Sequence, residues 1–125
     1  DNRLSWLLGR LEATYGKQAL YVHLRRDPEA TASSFARRYD FGIMKAYREG
    51  ILIGADPQLS SLSLARDYLE TVEHNIALFL RDKPRVLEAR LEYLEEDFLR
   101  FWSLIGAEGD LDAALAELRI HHNSS

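Results

Sequence analysis

Four histidines, His23, His74, His121 and His122, and a run of acids, Glu88, Glu92, Glu95, Glu96 and Asp97, are the residues of this chain best equipped for chemistry. A carboxylate-bridged di-metal centre in a helical bundle takes two Glu-x-x-His motifs and two further inward glutamates. None of these histidines has a glutamate three residues before it, so no metal ligands are assigned. Glu70 and His74 lie four apart, beside the Leu69, Val72, Ile76 seam of a helix, and read as a surface pair. His23 or His74 could be a lone haem ligand, but nothing else marks a cofactor pocket, and no cofactor is expected. Paired carboxylates do acid–base work when burial splits their pKa values. Five acids on one amphipathic helix, interleaved with Arg90 and Arg100, read instead as its wet face, with Glu96 and Arg100 at ion-pair spacing. The chain has no cysteine, hence no thiolate nucleophile, disulfide or thiolate zinc site. It also lacks a Gly-rich phosphate loop, a nucleophile elbow and a metal-hydrolase helix motif. No catalytic residue is assigned, and the expectation is a protein that is not an enzyme.

The elements that must position these side chains read as helices. At 125 residues, 46% hydrophobic and 29% charged, the sequence fits one domain, residues 1–125, with enough apolar surface for a continuous core. Its net charge of -4 supplies no global attraction for nucleic acid or an anionic membrane. The apolar runs are too short to span a bilayer and no signal-peptide order is present, so we expect no membrane partner and a cytoplasmic location. A start at Asp1 rather than methionine leads us to expect flanking sequence that holds part of the function.

Leu4, Leu7, Leu8, Leu11 and Tyr15 fall in helical register, with Asp1 or Asn2 as cap. The following ALYVHLRR is β-branched and aromatic, but with no partner strand in view it is read as helix. Asp27 and Pro28 then give the strongest start signal in the chain. Ala32, Phe35, Tyr39, Gly42, Ile43, Ala46 and Gly50 continue one face to residue 50. A loop, ILIGADPQLSS, follows, with Ile51, Leu52 and Ile53 tucked back on the core. Helices are expected at 61–81 and at 84–105, joined by DKP and folded back as a long antiparallel hairpin. A last helix starts at the Asp110 cap, and residues 121–125 form a frayed tail. The expected fold is all-α, an up-and-down bundle of four to five helices.

Two binding readings remain. Residues 31–50 can be cut into a helix, a turn near Asp40 to Gly42 and a second helix, a helix-turn-helix in which Arg37, Arg38, Lys45 and Arg48 would meet DNA. Against this, the apolar period runs through Gly42 unbroken. The preferred reading is a regulatory or assembly module that binds another protein or itself, most simply as a homodimer. Aromatic and small residues at the margins of the helical stripes would form its face: Trp6, Phe35, Tyr39, Gly42, Ile43, Ala46, Tyr47, Tyr93 and Trp102. A cofactor-binding bundle comes third.

The segments FARRYDFGIMKAYREGI, LSLARDYLETVEHN and YLEEDFLRFW resemble, in order, the helical N-terminal regulatory domain of the RsbU-type serine phosphatases and the related domain of the circadian clock protein KaiA. The likeness lies in helical periodicity and in Tyr39, Gly42 and Gly50. It implies a dimeric bundle that binds a signalling protein and carries no catalytic residues of its own.

Overall fold

The computed structural model describes residues 2–120; His121, His122 and the expected tail lie outside them. The chain is mostly helical with one small parallel sheet, and so is not purely all-α. In order, a 3₁₀ turn (Asn2–Trp6) leads into α1 (Leu8–Tyr15), β1 (Tyr21–Arg25), α2 (Pro28–Ala36) and α3 (Gly42–Ala46). A wide π-type turn (Tyr47–Ile51) and a loop precede α4 (Ser61–Leu80), β2 (Val86–Arg90), a 3₁₀ turn (Leu91–Tyr93), α5 (Leu94–Leu104) and α6 (Leu111–Leu118).

Helix starts follow local chemistry. The Asp27 carboxylate accepts from the Ala30 amide at 2.7 Å, Ser60 Oγ from the Ser63 amide at 3.1 Å, and Asp110 from the Ala113 amide at 2.9 Å, each satisfying a first-turn donor. Helix ends at glycine are equally local: Gly16 and Gly106 take positive φ, which ordinary side chains rarely adopt.

Four expected helical stretches are interrupted. The N-terminal helix breaks at Leu7, where φ is -116° and ψ 20°, leaving only residues 8–15 as α-helix. ALYVHLRR is not helical but forms β1. Its partner is VLEAR, in what was expected to be the first turns of the 84–105 helix. The strands run parallel, with Tyr21 against Val86, His23 against Glu88 and Arg25 against Arg90, and the Tyr21 amide donates to the Arg85 carbonyl at 3.0 Å. Pro84 sits just before β2, where a missing amide does no harm. The antiparallel hairpin of 61–81 with 84–105 therefore does not form: α4 ends at Leu80, and the next helix begins only at Leu94. The face running through residues 28–50 is likewise split. Gly42 has φ +61°, α2 ends at Ala36, and the chain turns through residues 37–41 before α3.

The core lies where α2, α3 and the π turn meet the N-terminal half of α4. Ala32, Met44, Tyr47, Leu64, Ala65 and Tyr68 are buried together, with Phe35, Tyr39, Ile43, Leu52 and Val72 packed around them. Tyr47 and Tyr68 meet edge to face at 5.2 Å, and Phe35 lies 5.3 Å from Tyr68. Of the Ile51 to Ile53 run only Leu52 joins this core; Ile53 is 94% exposed. Further along α4, Phe79 meets Tyr21 edge-on at 5.1 Å, so the same helix also covers one face of the strand pair. On the other side of β2 lies α5, fixed by Asp97, which accepts from the Arg90 amide at 2.7 Å and from the Arg100 guanidinium.

Candidate functional site

Strand alternation places Tyr21, His23 and Arg25 of β1 on one face with Val86 and Glu88 of β2. Beside α4 this face forms a groove of about 500 Å³ whose lining includes His23, Arg25, Glu73, His74, Leu80 and Val86. His23, nine-tenths buried, places Nε2 3.3 Å from Glu73 and Nδ1 4.0 Å from Glu88. Arg25 reaches both carboxylates as well, at 3.7 and 3.5 Å. A histidine and an arginine set between two glutamates make a cluster of polar contacts that ties β1, β2 and α4 together. Among the described residues, no group of three or more histidines and acids is arranged to hold a metal ion.

The opposite face of the strand pair differs. Leu87 and Ala89 of β2 are covered, Ala89 to 6% exposure, whereas Val22 and Leu24 of β1 stand open at 46% and 58%. The β1–β2 ladder uses the amides and carbonyls of Tyr21, His23 and Arg25 on the inner side of β1. In a parallel pair the alternate residues then turn theirs outward. By that alternation the amides and carbonyls of Val22 and Leu24 turn away from β2, and no turn, loop or cap hydrogen bond among the described residues engages them. β1 is short and ends in Arg25, and no proline interrupts it.

Most residues expected at a partner face gather in the core. Tyr47 is 1% exposed; its hydroxyl donates to Asp67 at 2.5 Å and lies 3.2 Å from Thr71, and burial followed by the Asp67 contact pushes its pKa up. Trp6 stacks 6.4 Å from Tyr68, while Phe35, Tyr39 and Ile43 are half-buried around the same cluster. Gly42 and Ala46 lie at the surface of the α2–α3 break and of α3. Tyr93 and Trp102 belong to the segment after β2: Tyr93, half exposed, lies under the Arg90 guanidinium at 4.4 Å, and Trp102 packs 5.9 Å from Phe98.

Of the basic residues set aside for DNA, Arg37 and Lys45 are exposed. Arg38 lies over the Phe35 ring at 4.8 Å. Arg48 is stacked 4.0 Å over Tyr39 and bonded to Glu49 at 2.8 Å and Asp40 at 3.4 Å, which raise its pKa further. The acidic run is not one wet face: Glu88 stands on β2 and Asp97 is 1% exposed. Arg100 pairs with Asp97 rather than Glu96.

Sequence reasoning weighed a strand at Leu20, Tyr21 and Val22, set it aside for want of a partner, and gave neither Val22 nor Leu24 a binding role. Their signal was the β-branched, aromatic run at residues 20–22, matched by Leu87 and Ala89 at strand spacing in VLEAR once the two are laid side by side. No helix of the described residues is long and apolar enough to cross a membrane. Compared with protein-family models, curated proteins and solved structures, the chain finds no match in any of the three.

Proposed function

We propose that this chain is a non-catalytic, cytoplasmic protein-interaction module in regulation or assembly, and that it engages partners through the open edge of β1. The observation that carries the reading is Val22 and Leu24: two large apolar side chains exposed on a strand whose outward amides and carbonyls meet no turn, loop or cap partner among the described residues. An extended segment added there gains main-chain hydrogen bonds, and alternate side chains give it specificity. The charged groove on the other face supports the same reading, because its histidine, arginine and glutamates are engaged with one another. The likeness to regulatory domains of stress phosphatases implies the same class of role.

Affinity capture with the wild-type chain and with Leu24→Lys, both confirmed folded by circular dichroism, tests it. Partners retained by the wild type and lost from the variant are expected; identical sets from both baits overturn the reading.

A second reading, duplex DNA binding by α2 and α3, is favoured by the break at Gly42, which gives the chain a turn between two helices. It predicts steeply salt-dependent binding that Lys45→Ala and Arg37→Ala weaken. No binding at low salt removes it.

A further inference from the structure

We propose that the groove between α4 and the strand pair binds a small primary amine, its ammonium held by Glu73, Glu88 and His23 and its apolar body laid along Ala77, Leu80 and Val86. The proposal goes beyond the interaction reading and does not depend on it, because Val22 and Leu24 lie on the other face of the strands.

Distances carry the first step. Glu73 stands 3.3 Å from His23 and 3.7 Å from Arg25, and Glu88 stands 4.0 and 3.5 Å from the same two. Charge-assisted hydrogen bonds close to about 2.7–2.9 Å. Glu29 with Arg66, Glu95 with Arg119 and Glu12 with Lys83 all do so in this molecule, at 2.7 Å. The two acids beside His23 are therefore gathered from α4 and β2 without a close donor, and both keep acceptor capacity toward the groove.

His23 calls for the same donor. Its side chain is nine-tenths buried, where polar atoms are ordinarily hydrogen-bonded. With Nε2 donating to Glu73, the uncharged ring presents Nδ1 as an acceptor, and Nδ1 faces Glu88, a second acceptor, at 4.0 Å. One ammonium can stand about 2.8 Å from each of two acceptors so spaced. Its three N–H groups then serve Nδ1, Glu88 and Glu73, whereas an alcohol has one donor to offer.

The sign of the charge agrees. Glu73 and Glu88 outnumber Arg25, which leaves one negative charge around His23. Of the other cations on the lining, Lys83 is matched by Asp82 and Glu12 at 2.7 Å. Arg81 follows Glu73 by about 12 Å along the helix, beyond the screening length of about 8 Å. Ala77, Leu80 and Val86 give the same groove an apolar wall, and its volume of about 500 Å³ lies within the usual span of small-ligand sites.

The test is titration of the isotope-labelled chain with phenethylamine near neutral pH, followed by amide NMR. Saturable shifts are expected at residues 23–25, 73–80 and 86–88, half-complete at roughly millimolar probe or below. Three further probes separate the causes. Phenethyl-trimethylammonium keeps the charge and the ring but has no N–H, methylammonium keeps the head without the body, and phenylacetate reverses the charge. Each is expected to bind roughly tenfold more weakly or worse. Glu73→Gln and Glu88→Gln keep size and remove charge; each should weaken phenethylamine roughly tenfold with circular dichroism unchanged, while Leu24→Lys leaves its affinity as it was. The probe series uses the wild type alone and so decides the matter whether or not the variants fold. No saturable shift, shifts centred elsewhere, any of the three probes bound as tightly as phenethylamine, or a folded Glu88→Gln of unchanged affinity overturns the proposal.

Discussion

Asp97 shows how a single carboxylate can hold two elements together. Its Oδ2 receives the Arg90 amide at the end of β2 and its Oδ1 the Arg100 guanidinium one turn along α5. The backbone donor first, and then Arg100, lower its pKa below the ordinary carboxylate range. The sign follows: a depressed folded value gives stability that is complete above the unfolded value of about 4 and is lost as pH falls through the folded one. Asp97→Asn keeps the shape and loses the charge, so its thermal midpoint should lie several degrees below the wild type at pH 7. The two midpoints should converge below about pH 4, and a gap that stays constant with pH overturns the assignment.

Lys83 is the cationic counterpart. Its side chain is 2% exposed, with the ammonium 2.7 Å from both Asp82 and Glu12 and 4.4 Å above the Phe79 ring. Asp82 and then Glu12 raise its pKa, so its contribution is complete below about pH 10 and lost only as pH rises through the raised value. Lys83→Met should therefore destabilise the fold at pH 7 and speed hydrogen exchange in α1, which Glu12 ties to the end of α4. Unchanged α1 exchange would show that the pair does not anchor that helix.

At the scale of elements, the helix starts are the most predictable parts of the fold. Asp27 caps α2 with its side chain, while its own amide donates to Glu92 at 2.8 Å. Asp27→Ala removes only the first of these and should cost about 1 kcal/mol in denaturant unfolding. Gly42 sets the break between α2 and α3 by its φ of +61°, and a Cβ there would meet nothing within 4 Å. Gly42→Ala should thus cost about 1 kcal/mol of backbone strain alone, with Gly42→Asn cheaper because Asn tolerates the left-handed region. Equal costs for the two would show that packing rather than φ holds the turn.

The same contrast explains what the sequence could and could not reveal. Asp27, Ser60 and Asp110 announce their helices because a cap acts within three residues of itself. The β1–β2 pair is not local: its strands are five residues each and separated by a sixty-residue crossover, so neither run outweighs the helical period around it. The face from Ala32 to Ala46 keeps its period across the Gly42 break because the segments on both sides turn apolar residues into the same core beside α4. Periodicity records which side is apolar, not whether the backbone is continuous. Asp97 looked like one more acid on a wet helix because its burial is created by β2, which the reading lacked. The open edge at Val22 and Leu24 was invisible for the same reason, and with it the part of the molecule that now carries the functional proposal.

For the whole molecule, the decisive feature is that one helix serves two packing centres. The N-terminal half of α4 contributes Leu64, Ala65 and Tyr68 to the aromatic core, and its C-terminal half places Phe79 against Tyr21 of the sheet. A twenty-residue helix cannot lose one half of its packing and keep the other at full strength, because the half left without packing is too short to be a stable helix in water. The two centres should therefore unfold together, although Val22 and Leu24 leave part of the sheet unit open. Trp6 reports the first centre through its contacts with Tyr47 and Tyr68, and Trp102 reports the second through Phe98 in α5. Met44, fully buried beside Tyr47, is far from neither in energy if the coupling holds. Met44→Ala should lower stability by about 2–5 kcal/mol through the cavity it leaves. In single-tryptophan versions of that variant, the Trp6 and Trp102 fluorescence transitions in urea should shift by the same amount and coincide. A Trp102 transition that stays at its wild-type midpoint while the Trp6 transition moves would divide the molecule into two independent units. The strand pair would then owe its stability to something other than α4.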